Sequence, residues 1–441
     1  MPVHRLVATA GTGGVVSDMD VDAIRAARRE LDEVIEEIRH VPGYEQFLAP
    51  PTFEDVARSA ESGPLVYLAA AELGGLGLVV RGSDVVHVRL DELTAENLRT
   101  RVTGHLQTYA DYRADRERHR ADWYASLDRI TAWLWTVAMG PVLECLEPDA
   151  DAVFVPGGLL GLLPLHAAWT PDPTRPTGRR YALDVVPFSY APNARSLQVA
   201  RTIAAESPPS RLLAVVEPRP VRASPLPAAR YEAMSVQAWF GSAAKVLPGG
   251  EATPRAFLRE AVEADVLHLA CHGYADLANP LDSGLLLAGR PVKLRDLLDG
   301  VRLHVRLAVL SACETALPGT ELPDEVVALP TGLLQAGVAG VVASQWSVPD
   351  RATAMLMSEF YRRWAKGETP AARALRDAQR WLRDTPNGQK VLHWQTALAE
   401  GQPWLPAEVA DTFVDALFGA EPDAREHEDI HRWAAFTHLG V

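Results

Sequence analysis

Cysteine is scarce in this chain: its 441 residues include three, Cys145, Cys271 and Cys313. Three scattered thiols cannot build a disulfide framework, and no two sit at the short spacing a structural zinc site needs. A reactive cysteine here is expected to work as a thiolate in a reducing compartment. Long apolar runs are missing as well. No uninterrupted stretch of about 18 apolar residues occurs, and the first twenty residues lack a basic segment followed by an apolar core. Neither a membrane span nor a secretory leader is therefore expected, and the cytoplasm is the expected location. Positive charge is in deficit: 43 basic against 57 acidic residues give a formal charge of -14. Such a surface repels phosphate backbones and anionic lipid, so neither nucleic acid nor membrane is expected as a direct partner. No internal repeat and no phosphate-binding loop is found, and no cofactor is expected.

What remains is an ordinary globular composition, 48% hydrophobic and 23% charged. The length suits two or three domains that pack as one body. Three regions are expected. Residues 1–62 comprise a Gly-rich flexible start, an amphipathic helix and a joint. The helix is read from Ile24, Ala27, Leu31, Val34, Ile35 and Ile38 at helical spacing, stopped by Pro42-Gly43. Residues 63–148 begin with the β-type runs "LVYLAA", "LGLVV" and "VVHVRL", a small meander. A long helical segment follows, with an expected break near Gly104 and a face of Trp123, Leu127, Ile130 and Leu134 that reads as core. Residues 149–441 alternate apolar strands with helices. That alternation implies an α/β fold, a mostly parallel central sheet covered by helices on both faces. Within it, "PDPTRPTGRR" is a Pro-rich surface loop.

Two of the strands end in reactive residues. "ADVLHLACHG" delivers His272 and Gly273, and "RLAVLSAC" delivers Cys313. Ligands of open α/β sheets bind at the carboxyl ends of strands, so adjacent strands ending in His and Cys bring an imidazole and a thiol to one edge. That is what a thiolate nucleophile and its base require. His272 is the expected general acid/base, and the backbone N–H groups of Gly273 and Cys313 are the expected oxyanion donors. A lone strand-end cysteine is more often a buried small hydrophobe, and a lone histidine more often structural. It is the joint pattern that favours chemistry.

That pattern, apolar strand then His-Gly and apolar strand then Ala-Cys, resembles the peptidase clan of caspases, gingipains and separase. The stretches "ADVLHLACHGYADLANPLDSGLLL", "LAVLSACETALPGTELPDEVVALPTGLLQAGVAGVVASQWSVPDRATAMLMSEFY" and "HRWAAFTHLG" more closely resemble the CHAT family, the caspase-like domain associated with HetF and tetratricopeptide repeats. "VPGGLLGLLPLHAA" and "YAPNARSL" resemble the opening of that domain. The resemblance runs over roughly residues 150 to 441 and, more weakly, back to "EEIRHVPGYEQFLAPP". It implies a caspase-like cysteine endopeptidase with a Cys313–His272 dyad. The chain departs from the family pattern in having room for only one convincing helix before the meander, which leaves the usual sensing repeats absent, truncated or supplied by another polypeptide.

Alternation points Cys271 away from the site, and His268, deeper in the strand, and His166 are read as structural. Glu314 and Thr315 either line the site or begin a turn or cap the next helix, and "ALPGTELPDE" reads as a mobile loop over the active site. Asp350, which closes "ASQWSVPD", is either a helix N-cap or, by resemblance to separase, the floor of a pocket for a basic P1 side chain. Asp276 and Asp282 are weaker candidates. Gln345 and Trp346 are candidate substrate contacts for a protein substrate laid as an extended strand beside "VVASQW". An activating protein partner is also expected. Two further readings stand beside the peptidase: a catalytically silent scaffold, which would need neither His272 nor Cys313, and another thiol enzyme such as an acyltransferase, which would need a deep pocket.

Overall fold

The computed structural model describes residues 18–42, 44, 52–274, 276, 279–300, 302–311, 329–365 and 367–441. It divides into two compact units, Met1–Thr52 and Phe53–Val441. In the first, the expected amphipathic stripe lies on helix α1 (Asp18–Arg39). Leu31 and Val34 on that stripe are 57% and 45% exposed. Most of the expected flexible start lies outside the described residues.

The second unit is organised by one eleven-stranded sheet. Its first strands are the expected meander, β1 (Leu65–Ala71), β2 (Gly74–Arg81) and β3 (Asp84–Leu90). β1 also lies parallel to β4 (Ala152–Pro156), so the meander is continuous with the central sheet. Helices α2 (Ala95–Ala114) and α3 (Arg116–Leu134) connect the two. The break falls at Asp115 and not near Gly104. Asp115 adopts extended backbone at φ -146° and its carboxylate accepts from the Arg118 N–H, starting a new helix. Gly104 weakens a helix by about 1 kcal/mol but removes no backbone hydrogen bond, so the helix runs through it. Trp123 on α3 is 2% exposed, its ring 4.6 Å from Tyr109 and 4.8 Å from His105, as expected of a core face.

The remaining strands are β5 (Trp169–Pro171), β6 (Arg179–Tyr181), β7 (Phe188–Tyr190), β8 (Leu212–Val216), β9 (Ala244–Pro248), β10 (Val266–Ala270), β11 (His272–Tyr274), β12 (Gly284–Leu286), β13 (Pro291–Lys293), β14 (Leu307–Leu310), β15 (Gly340–Ser344) and β16 (Phe436–Gly440). β5 and β6 form a hairpin whose connection is the Pro-rich loop. The large sheet has the order β3-β2-β1-β4-β7-β16-β15-β14-β10-β8-β9. From β15 out to β9 all neighbours are parallel. β1, β4, β7 and β16 are likewise parallel to one another. The two groups meet head to tail where β16 pairs antiparallel with β15.

Side-chain alternation sets the two faces. Leu212, Ala214, Val266, Ala270, Leu307 and Val309 face a cluster containing Ala233 and Val236 of helix α4 (Ala229–Phe240) and Met355 of helix α5 (Asp350–Trp364). Leu213, Val215, Leu267, Leu269, Ala308 and Leu310 face the opposite cluster with Phe257, Leu297 and Leu333. Helices thus cover both faces, the arrangement that near-continuous apolar strands demand. No helix among the described residues is long and apolar enough to cross a membrane.

Candidate active site

β10 lies between β8 and β14, with every residue buried. Its alternation decides what each neighbouring polar residue can do. Cys271 belongs to the face away from α4 and α5 and is fully buried. Burial, reinforced by the charge of Glu232, pushes its thiol up to about 12, so it is inert at neutral pH. His268 faces α4 and α5, also fully buried, with Nδ1 3.3 Å from the Tyr361 hydroxyl and Nε2 3.1 Å from Glu232 Oε1. It sits inside the core as a structural histidine. So does His166, whose Nε2 donates to the Ala434 carbonyl at 2.8 Å and whose pKa burial holds down at about 4.

His272 differs from all three because the chain leaves the large sheet there. β11 carries it into a small sheet with β12 and β13, pairing His272 with Leu286 and Gly273 with Leu285. The imidazole is half-buried, and its Nε2 lies 2.7 Å from the carbonyl oxygen of Ser224. A carbonyl only accepts, so Nε2 carries the proton, and in the neutral ring Nδ1 is left with its lone pair free to take one. This is the tautomer a base acting through Nδ1 requires, held by a backbone group.

Ser224 belongs to the segment joining β8 to α4. Glu217 opens it with a left-handed φ of 44° while its N–H bonds to the Ala270 carbonyl at 2.8 Å. The Glu217 carboxylate accepts from the Leu226 N–H at 2.8 Å and from Arg219 at 2.5 Å. Burial alone would raise its pKa, but the Arg219 and Leu226 hydrogen bonds and the neighbouring Arg219 and His272 charges hold it below the usual range. Glu217, Ser224, Leu226 and His272 line a small cavity of about 40 Å³.

Asp350 approaches from α5. It is the first residue of that helix, behind an N-cap of Pro349 with no side-chain cap, so it does not cap its own helix as one reading of the sequence expected. Its Oδ2 instead accepts from the N–H of Ala228, which precedes α4, at 2.5 Å. Burial pushes its pKa up to about 6; the Ala228 hydrogen bond opposes this, Glu232 and Glu217 add to it, and His272 opposes it. Asp350 and Glu217 thus both feel the charge of His272, whereas Glu232 is paired with the buried His268.

Gln345 and Trp346 follow β15. The Gln345 N–H donates to Ala435 O at 2.9 Å, and the residue is 7% exposed. Trp346 is 2% exposed, donates Nε1 to His431 O at 3.0 Å and lies edge-on to Trp123. The indole therefore packs in the core and offers a substrate no free face. Asp282 is tied into ion pairs with Lys293 and Arg295, and the Asp276 N–H donates to Ser283 Oγ. Cys313, Glu314, Thr315 and the "ALPGTELPDE" loop lie outside the described residues.

Sequence reasoning missed Ser224, Glu217 and Glu232. The role of Ser224 belongs to a backbone carbonyl, which any residue could supply, so it leaves no sequence signal. Glu232 is detectable only as an acid within the apolar face of α4, where it is 2% exposed.

A large, mostly parallel sheet covered by helices, with a histidine leaving the carboxyl end of a central strand, defines a caspase-like fold. The CHAT domain matches residues 128–441, and the chain belongs to that family. No curated protein matches it in sequence. Among solved structures it is similar to separase of Saccharomyces cerevisiae in complex with securin. One such structure has a TM-score of 0.54 at 8% identity, covering 88% of this chain and 30% of that one. A second has a TM-score of 0.55 at 9% identity, covering 74% and 29%. The chain thus spans under a third of the separase chains it matches. The Arg-specific cysteine proteinase gingipain R is a more distant likeness, with a TM-score of 0.37 at 9% identity over 72% of this chain and 67% of that one.

Proposed function

We propose that this protein is a cysteine endopeptidase in which Cys313 is the nucleophile and His272 its general acid/base. One observation carries the reading. β10 and β14 are parallel neighbours in a register that pairs Val266 with Leu307 and Leu269 with Leu310, an offset of 41 positions. His272 and Cys313 are separated by the same 41 positions along the sequence, and this equality supports reading the two residues as a pair.

In the proposed reaction, Nδ1 of His272 takes the Cys313 thiol proton, and the thiolate attacks the scissile carbonyl. The N–H groups of Gly273 and Cys313 stabilise the oxyanion, each worth about 3 kcal/mol in comparable sites. The imidazolium then protonates the leaving amine as the C–N bond breaks, leaving a thioester on Cys313. Water, deprotonated by His272, attacks that thioester, the C–S bond breaks to release a carboxylic acid, and the imidazolium returns its proton to the Cys313 thiolate. The carboxylate of Asp350 supports a preference for Arg or Lys at P1. The substrate would be a protein segment laid as an extended strand. The exposed apolar stripe of α1, and the securin held by the separase it resembles, support control by a protein partner.

A peptide-library cleavage profile, run beside Cys313→Ala, tests the reading. Hydrolysis by wild type with a P1-Arg or P1-Lys preference, abolished in the variant, is the expected result. A folded wild type that cleaves nothing in any library would favour the scaffold reading.

A further inference from the structure

His272 is held from behind by an unusual device. Its Nε2–H meets a carbonyl on a loop, and loops give way more easily than strands. Ser224 lies near the carboxyl end of the segment from Glu217 to Leu226, between strand β8 and helix α4. Two ties make the segment's shape definite. The Glu217 N–H is fixed to the Ala270 carbonyl at the end of β10, at 2.8 Å. From the same residue, the carboxylate reaches across the segment to the Leu226 N–H, also at 2.8 Å. Glu217 thus joins the two ends of the segment and anchors both to the strand that delivers His272. Its left-handed backbone, at φ 44°, costs a non-glycine residue energy and persists only where the surroundings over-determine it.

We propose that Glu217 is the positioning residue of this site, the clasp that shuts the Glu217–Leu226 segment and thereby holds the Ser224 carbonyl against His272 Nε2. The proposal rests on the reading of His272 as general base. Arg219 also reaches the Glu217 carboxylate, but its side chain is 57% exposed, and this pair is an accessory to the clasp. The tie to Leu226 requires an acceptor and not a charge. Glutamine, which retains a carbonyl oxygen of the same reach, therefore keeps the clasp, and alanine opens it.

The experiment compares the full chain as wild type, Glu217→Ala, Glu217→Gln and Arg219→Ala, with melting curves to confirm folding. Three readouts are taken: hydrogen exchange at the Leu226 amide, the Nε2–H tautomer of His272 by NMR of protein labelled with 15N-histidine, and hydrolysis of a P1-Arg aminomethylcoumarin tetrapeptide. In Glu217→Ala the Leu226 amide is expected to exchange at least about tenfold faster and the single tautomer to become a mixture. Its kcat is expected to fall about 10- to 100-fold with KM within about threefold, because a displaced base slows chemistry and not binding. Glu217→Gln restores all three, and Arg219→Ala stays within about threefold of wild type. Unchanged Leu226 protection and tautomer in Glu217→Ala overturn the proposal. Equal losses in the Ala and Gln variants, expressed in KM, also overturn it and make Glu217 a substrate-binding carboxylate. If wild type fails to hydrolyse the peptide, the peptidase reading is what suffers, and exchange and tautomer still decide the clasp.

Discussion

Asp350 sets stability against specificity, and replacing it with asparagine separates the two. Its folded pKa, about 6, lies above its ordinary 3.8. Folding therefore disfavours the charged form. Wild-type stability from this group is greatest below about 3.8, declines as pH rises to about 6, and stays at its lower level above that. Two pH units correspond to about 3 kcal/mol of differential interaction. Asp350 is only half-buried, so solvent screening reduces this to about 1 kcal/mol. Asparagine cannot ionise but still accepts from the Ala228 N–H. Asp350→Asn is expected to melt about 1–2 °C higher than wild type at pH 8 and to match it near pH 4. Activity should move the other way. Loss of a desolvated ionic contact costs about 2–5 kcal/mol, so kcat/KM for a P1-Arg peptide should fall at least tens-fold while a P1-Met peptide loses much less. The ratio of the two rates cancels the titration of the dyad itself. In wild type that ratio should collapse as pH drops through about 6, and in the variant it should be flat. An unchanged ratio together with a lower melting temperature would refute the reasoning and leave Asp350 a tie between α5 and α4.

Other expectations follow from the same geometry. His272→Ala and Cys313→Ala should each abolish peptide hydrolysis with folding intact, and Cys271→Ala should retain most activity; mass spectrometry after brief iodoacetamide treatment at pH 8 should find native Cys271 unmodified. Glu359 is fully buried, and although burial would raise its pKa, the His393 hydrogen bond and the Arg363 and Arg362 charges hold it at about 2. Glu359→Gln should cost about 3–5 kcal/mol at neutral pH by denaturant unfolding, and wild type should lose that contribution as pH falls from about 4.5 toward 2. Gly337 has φ 103° and an added Cβ would lie 2.0 Å from the Leu303 carbonyl, so Gly337→Ala should lower the melting temperature by several degrees.

The sequence made the parallel strands, the buried Cys271 and His268, and the strand-end position of His272 legible because each follows from alternation along a run of apolar residues. Its limits are equally physical. The break between α2 and α3 was misplaced because a capping aspartate outweighs an interior glycine. Trp346 looked available at a strand end, yet Trp123 and His431 come from distant parts of the chain to cover it. The clasp of Glu217 on Leu226 is a side chain on a backbone group nine residues away, and no residue pattern announces it.

The central place of β16 bears on how the molecule can be made. The strand occupies residues 436–440 yet lies between β7 and β15, joining the two parallel groups of the sheet. During synthesis, therefore, β7 and β15 both emerge with an unpaired edge and keep it until residues 436–440 have left the ribosome. Open edges invite pairing with the wrong chain. Closing them is also among the longest-range steps the topology contains, and long-range pairing is slow. Nascent chains should thus pass through a window in which each half-sheet is formed and the whole is not. A chaperone that shields strand edges would be most valuable in that window, and a substitution that weakens β16 should reduce soluble yield more than it reduces the stability of the protein that does fold.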